Sequence, residues 1–209
     1  MTKITKVVGR QVFDSRGNPT VEAEVYLSDK TKALAIVPSG ASTGAFEAYE
    51  LRDGNKNYFL GKSVLKAVKN INTLINKKLK NVKADDQKKI DQILLNLDGT
   101  DNKKKLGANA LLAVSLATAK AVAMSKKKEL YQHLGKKYIL PKPLMNIING
   151  GAHADNNLRI QEFMIRPDAA KNFMDAIEKC FLVIQSLKKI LQSKKLLNNV
   201  GDEGGFAPS

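Results

Sequence analysis

The sequence predicts an α+β domain, a three-stranded meander followed by helices, joined to the first elements of an incomplete β/α domain. Three observations predict it. Apolar and polar residues alternate along the segment before Pro38, as they do in strands. From residue 64 onward, apolar residues recur three and four positions apart, as they do in helices. Pro141 and Pro143 then separate this helical part from a new strand, loop, strand and helix.

Residues 4–37 are predicted to form the meander. The turn-forming residues 14–19 separate its first two strands. In the second strand, apolar residues alternate with Glu22, Glu24 and Tyr26. This period of two predicts a strand with one buried face and one face exposed to solvent.

Helical patterns follow the meander. The first has an apolar stripe made of Val64, Leu65, Val68, Ile71, Leu74 and Ile75. The second has Asp85 as its predicted N-cap and ends at the turn 98–101. A third, rich in small residues, covers 107–124, and a short fourth ends at Gly135. We therefore expect the first domain to occupy residues 1–135.

A second domain is expected over residues 139–209. Its pattern is a strand that breaks at Gly150, a strand that carries Gln161 and Glu162, and a long helix over 171–195. The predicted buried face of this helix carries Phe173, Ile177, Cys180, Phe181, Ile184, Leu187 and Leu191. About 70 residues form too few elements to close an α/β layer, since an eight-stranded barrel needs roughly 250. The sequence therefore predicts that the second domain is truncated.

The formal net charge of +15 raises the hypothesis of a nucleic-acid partner. The lysines, however, occur as pairs and triplets on separate segments, arginine is scarce, and no aromatic residues are interleaved with them. This distribution is typical of solvated helix faces, so nucleic-acid binding is not expected. Binding of RNA, a cell surface or another protein by a basic fragment stays open as an alternative.

The single cysteine, Cys180, excludes an intramolecular disulfide and fits a reducing, cytoplasmic location. The N-terminus has no apolar signal core. The most apolar stretch, 106–124, contains polar residues that favour a buried helix over a membrane span.

Three stretches contain candidate catalytic or binding residues. Glu162 is an acidic residue among apolar neighbours, which is costly to bury unless it is paired or used. The small residues 39–44 follow Pro38, and their hydroxyls and backbone N–H groups suit an anion or a hard metal ion. Glycines flank the pair Asp202 and Glu203. Taken singly, a salt-bridged glutamate and a flexible surface loop are the commoner interpretations of the first two.

Six segments together resemble the enolase family, in the order that the family has them. They are 14–22, 39–44, 106–110, 149–156, 161–164 and 201–208. The resemblance covers the whole chain, as the N-terminal portion of an enolase of bacterial type. The departures are Asp101, where a proline is frequent, and Arg159, where an acidic residue is common.

The resemblance implies a small α+β domain and an enolase-type β/α barrel, similar to a TIM barrel, whose first strands are antiparallel. It implies the reversible dehydration of 2-phosphoglycerate to phosphoenolpyruvate with Mg²⁺ in a cytoplasmic homodimer or larger homo-oligomer. Family members also occur at the cell surface or are secreted.

Catalytic roles follow from the resemblance for three residues. Glu203 matches the general acid that protonates the departing hydroxyl. Glu162 matches its partner carboxylate, which also contacts the substrate. His153 matches the loop histidine that approaches the substrate phosphate when the loop closes.

Binding roles follow in the same way. Ala41 and Gln161 match substrate contacts, and Ser42 matches a ligand of the second Mg²⁺. One difficulty is that Gln161 and Glu162 are adjacent, so in a regular strand they point to opposite faces. Both reach one pocket only if the strand ends, bulges or twists there.

The resemblance also shows what residues 1–209 lack. The family's lysine base and the three carboxylates that hold its first Mg²⁺ come late in the barrel. We therefore expect the intact protein to be a Mg²⁺-dependent lyase and residues 1–209 alone to be inactive. A different acid–base enzyme of the enolase superfamily is the alternative, and 39–44 and 201–208 count against it.

Overall fold

The computed structural model of this chain describes residues 2–40, 43–201 and 203–209. It divides into two compact units. The first holds residues 2–40 and 44–138, and the second holds Thr43 and the described residues from 139 to 209.

The first unit begins with the predicted meander. Strands β1 (Ile4–Phe13), β2 (Pro19–Leu27) and β3 (Lys32–Val37) form an antiparallel sheet in the order β1-β2-β3. In the β1–β2 turn, the Asp14 carboxylate accepts the backbone N–H groups of Arg16 and Asn18, both at 2.9 Å. Such a side-chain acceptor stabilises a turn without help from the sheet.

The polar face of β2 is not exposed as the alternation predicted. Glu24 is only 7% exposed. Because β2 is the central strand, the longer side chains of its neighbours reach over this face: Arg10 and Lys32 lie 2.8 and 3.2 Å from the Glu24 carboxylate. Tyr26 donates a further hydrogen bond to it at 2.8 Å. These contacts, led by the hydrogen bond from Arg10, lower the pKa of Glu24 to about 2.

The first helical segment is continuous but irregular. It consists of α1 (Leu65–Asn70), a π-helical turn (Ile71–Ile75) and α2 (Asn76–Leu79). Its fully buried residues are Val64, Ala67, Ile71, Ile75 and Leu79. Leu65 and Leu74, predicted to share this stripe, are 46% and 45% exposed. Each is one position away from a buried residue, and one position turns a side chain about 100° around a helix axis.

This helical segment also covers one edge of the sheet. The Asn76 side chain accepts the N–H of Val7, and the Asn72 amide bonds both the N–H and the C=O of Gly9. A Cβ at Gly9 would lie 2.9 Å from the Cβ of Ile71. The close packing of β1 on the helix therefore depends on glycine at this position.

Helix α3 (Gln87–Asp98) is capped one residue later than predicted. The N-cap is Asp86, whose side chain accepts the N–H of Lys89 at 3.1 Å. Asp85 instead accepts the N–H of Thr2 and pairs with Lys126. These tertiary partners are far away in sequence, so the local pattern does not distinguish the two aspartates.

Helix α4 (Ala108–Ser125) packs against β2 and β3, and α5 (Leu130–Leu134) follows it. Ala110, Ala113 and Ala117 are fully buried, so small side chains bring α4 close to the sheet. In the described part of the chain, α4 is the one helix long and apolar enough to cross a membrane, but 61% of it is buried. It is a core helix, as predicted.

The second unit contains an antiparallel pair, β4 (Met145–Asn149) and β5 (Glu162–Ile165). Phe206 forms a parallel bridge with Ile148 beside this pair. The unit also contains the long helix α6 (Phe173–Ser193).

Helix α6 buries less of its apolar face than predicted. Ala176, Cys180 and Leu191 are buried, but Phe173 and Phe181 are 41% and 57% exposed. The described elements of this unit are too few to cover the whole face.

Candidate active site

The predicted site residues of the second unit come from three places in the chain. His153 ends a 3₁₀ turn (Gly151–His153), Gln161 immediately precedes β5, and Glu162 is the first residue of β5. Glu203 lies in the loop after Val200. The structure brings these four residues together. The other two predicted residues, Ala41 and Ser42, lie outside the described residues.

His153 is the centre of this cluster, and its side chain is 3% exposed. Its Nε2 lies 2.7 Å from the Gln161 side-chain amide. Its Nδ1 lies 3.2 Å from Oε1 of Glu162 and 3.6 Å from Oε2 of Glu203. Neither contact is a hydrogen bond, so this buried nitrogen has no hydrogen-bond partner within the described structure.

The position at which β5 begins explains how the adjacent residues Gln161 and Glu162 can both reach one site. The regular strand begins only at Glu162, so the side chain of Gln161 is not held to the alternation of the strand. The two neighbours contact the same imidazole ring at its two different nitrogens. Because the strand begins between them, Gln161 and Glu162 can both contact His153, whereas in a regular strand their side chains would point to opposite faces.

Two glycines fold the His153 loop back onto the beginning of β5. Gly150 donates its N–H to Gln161 O at 3.0 Å, and Gly151 donates to Leu158 O at 2.8 Å. A Cβ at Gly150 would lie 2.5 Å from Ile160 O, so the backbones approach too closely for any other residue. This close approach places His153 next to Gln161.

The loop that carries Glu203 is closed by its own backbone. Gly201 donates to Gly205 O at 2.8 Å, and Gly204 donates to Gly201 O at 3.1 Å. Gly204 has φ +82°, a conformation that glycine adopts without strain. The side chain of Glu203 is 43% exposed, more than the 26% of Glu162.

Asn149 joins the segments of the site, and sequence reasoning did not single it out. It is fully buried at the end of β4. Its Oδ1 accepts the N–H of Gly205 at 2.9 Å, and its N–H donates to Phe206 O at 2.9 Å. Its C=O accepts from the Asn156 side chain, in the His153 loop, at 2.9 Å. A polar residue at the end of an apolar strand was the signal that could have identified it.

This arrangement suits proton transfer next to a bound substrate. Two partly exposed carboxylates and one buried imidazole surround one point, and one ligand atom from each lies within 4.8 Å of the others. Carboxylates and imidazole are the side chains that most often act as general acids and bases. The same three groups have the spacing of a possible metal site.

Comparison with known proteins gives one consistent result. Residues 4–134 match the family model described as enolase, N-terminal domain, and residues 137–209 match enolase, C-terminal TIM barrel domain. The chain is 61% identical over 210 residues to a curated enolase of Pelagibacter ubique, which covers 100% of this chain and 50% of that protein. The chain thus spans about half the length of the curated relatives it matches. These matches confirm the predicted fold class, an α+β domain followed by the start of a barrel.

Proposed function

Since this chain belongs to the enolase family, we propose that the protein of which it forms part is a Mg²⁺-dependent lyase. Its proposed reaction is the reversible conversion of 2-phosphoglycerate to phosphoenolpyruvate and water. The observation that carries this proposal is the convergence of Glu162, Glu203 and His153, whose ligand atoms lie within 4.8 Å of one another.

The elimination needs an acid and a base on two sides of the substrate. A base removes the proton from C2, and the hydroxyl on C3 leaves as water if an acid protonates it. In this proposal Glu203 is that acid. Its partial exposure supports the role, because the carboxyl group can contact a substrate and recover its proton from solvent.

Glu162 is proposed as the partner carboxylate near the same leaving group. It begins β5, and its side chain is less exposed than that of Glu203. A carboxylate whose backbone is held at the start of a strand can keep the departing hydroxyl in a fixed orientation.

Gln161, His153 and Ala41 are proposed to contact the substrate. His153 faces the two carboxylates and is buried, so contact with a phosphate group requires its loop to move. That loop is closed on the start of β5 by hydrogen bonds from Gly150 and Gly151. A loop that closes over a substrate also excludes water from the reaction.

Mg²⁺ is proposed to have ligands other than the described cluster. Mg²⁺ prefers oxygen ligands in octahedral geometry, whereas His153 would supply a nitrogen. The hydroxyl of Ser42 is the oxygen ligand that this chain contributes in the proposal. When bound, the ion would stabilise negative charge that develops on the substrate carboxylate.

Location and assembly complete the proposal. The intact protein is expected to be a cytoplasmic homodimer or larger homo-oligomer. Because the charge lies on separate lysine segments, nucleic acid is not proposed as a partner.

The test is an absorbance assay of phosphoenolpyruvate formation from 2-phosphoglycerate. The intact protein should turn over with Mg²⁺ and stop when a chelator removes it. Residues 1–209 alone should give no turnover, because the proposed lysine base and three metal carboxylates lie elsewhere. An inactive intact protein would refute the function, and a chain of residues 1–209 with near-intact activity would refute the assignment of the base.

A further inference from the structure

A groove of about 540 Å³ lies between β3, the C-terminal part of α4 and the start of α5. All the residues that line it belong to the first unit. The sheet of this unit has the order β1-β2-β3, so β3 is hydrogen-bonded to a described strand on one side only. We propose that this groove binds an extended acidic peptide, which adds to β3 as a fourth strand.

The edge of β3 is able to accept another strand. In an antiparallel pair, alternate residues direct their N–H and C=O groups away from the partner strand. Edge strands are commonly protected against further pairing by a proline, a bulge or charged residues along the strand. β3 begins with Lys32 and then has only apolar residues as far as Val37, and its pairing with β2 is regular. The described structure therefore shows none of these protections beyond the first residue of β3.

The floor of the groove is apolar and partly exposed. Leu34 lies opposite Glu24 in the β2–β3 register and is 45% exposed. Met124, on α4, is 57% exposed, and Leu130 at the start of α5 also lines the groove. In strand addition, main-chain hydrogen bonds provide affinity, and pockets for alternate side chains provide specificity. A matching peptide should therefore have apolar residues at alternate positions.

The charges around the groove favour an acidic peptide. The Glu24 carboxylate lies 2.8 Å from Arg10 and 3.2 Å from Lys32, so two cations already offset its negative charge. Lys120 and Lys128 also line the groove, and the ion pairs of the described residues include neither of them. These two ammonium groups can pair with carboxylates of a bound peptide.

The same charges argue against two other occupants. The formal net charge of +15 makes two copies of this chain repel each other, whereas it attracts an acidic segment. Single-stranded nucleic acid is held by stacking of its bases on aromatic side chains. The described residues that line the groove include no aromatic side chain.

The binding test uses the intact protein and a short fluorescein-labelled peptide in which valine and glutamate alternate. Fluorescence anisotropy should show binding that weakens as the salt concentration rises. The same peptide with a methyl group on every backbone nitrogen cannot donate hydrogen bonds to β3 and should not bind. Absence of binding by the first peptide, equal binding of both, or tighter binding of single-stranded DNA of equal charge would overturn the inference.

Charge reversal on the protein tests the position of the peptide. Lys120→Glu and Lys128→Glu should each weaken binding about 3- to 20-fold at low salt, because an attraction becomes a repulsion. Lys88→Glu, at an exposed position of α3, is the matched control and should leave the affinity nearly unchanged. Thermal unfolding verifies that each variant is folded. Equal losses in all three variants would show that only the net charge attracts the peptide, and would refute the groove as its site.

Hydrogen exchange of the backbone amides locates the added strand directly. With the peptide bound, amides of β3 should exchange more slowly. Amides of β1 should not change, because Asn72 and Asn76 already cover the opposite edge of the sheet. Bound peptide without protection of β3 would overturn the inference. Neither anisotropy nor hydrogen exchange requires turnover, so failure of this inference and failure of the proposed lyase activity are distinguishable.

Discussion

Among the described residues, the two units differ in how many apolar side chains they bury. The contiguous hydrophobic core, from Ile4 to Val122, belongs entirely to the first unit. In the second unit the described residues bury few apolar side chains, and its least exposed residues include Asn149 and His153. Its exposed apolar side chains, in contrast, include Ile139, Leu140 and Met174, which are 84%, 68% and 74% exposed.

Different interactions therefore specify the structures of the two units. The free energy gained by burying apolar side chains is proportional to the buried area, and many combinations of apolar residues can supply it. Apolar burial therefore stabilises a fold without fixing the position of each atom. Hydrogen bonds and glycine close approaches are directional, so they determine the position of individual atoms. The first unit is therefore held by packing, whereas the second is arranged around a polar cluster.

The largest expected effect tests the polar cluster. Glu203→Gln in the intact protein should lower kcat about 10²- to 10⁴-fold, because the amide cannot donate the proton that the leaving hydroxyl needs. Glu178→Gln, on the exposed side of α6, is the matched control and should retain activity. Steady-state kinetics measure both. A variant at position 203 with unchanged kcat would show that this glutamate is not the acid.

The next effect tests the apolar core. Ile75→Ala should lower the free energy of unfolding of the first unit by about 2–5 kcal/mol, because Ile75 is fully buried. The adjacent Leu74 is 45% exposed, so Leu74→Ala should lower the free energy of unfolding by less than about 1 kcal/mol. Native-state hydrogen exchange of the β2 amides gives both values. Equal losses would contradict the assignment of the buried face.

A smaller effect is expected for the connection between the end of β4 and the loop that carries Glu203. Asn149→Ala leaves the buried N–H of Gly205 without its acceptor, which costs about 1–3 kcal/mol. Because Gly205 closes the loop of Glu203, kcat should fall about tenfold while KM changes little. Asn102→Ala, at an exposed asparagine, is the control. Loss of stability with an unchanged kcat would make Asn149 a structural residue only.

The smallest effect is an acid-dependent loss of stability in the first unit. The pKa of Glu24 is lowered from 4.5 to about 2, chiefly by Arg10, so its contribution is present above pH 4.5. It is lost as pH falls from about 4.5 to 2. Since Arg10 is 45% exposed, we expect roughly 1–2 kcal/mol, and Glu24→Gln should flatten this part of the profile. Urea unfolding at several pH values measures it, and identical profiles would contradict the role of this ion pair.

Local patterns predicted most of the elements. Periods of two and of three to four residues indicated the meander and the main helices, because side-chain direction repeats within each element. They failed where a distant residue decides the outcome. Asp86 rather than Asp85 caps α3 because Asp85 is engaged by Thr2 and Lys126.

The candidate site shows the same limit. Its residues His153, Gln161, Glu162 and Glu203 were predicted from segments that resemble the enolase family. Their arrangement around one imidazole, with Nδ1 between two carboxylates, was not. Nor was the role of Asn149, whose partners lie in two other segments.

Residue identity and short-range spacing were enough to predict the order of the elements, the family and the residues of the candidate site. The tertiary structure was needed for the burial of Glu24, for the faces on which Leu65 and Leu74 lie, and for the position of His153 Nδ1 next to both carboxylates. The physical reason is that burial and contact depend on which distant segment packs alongside, and no local period encodes that choice.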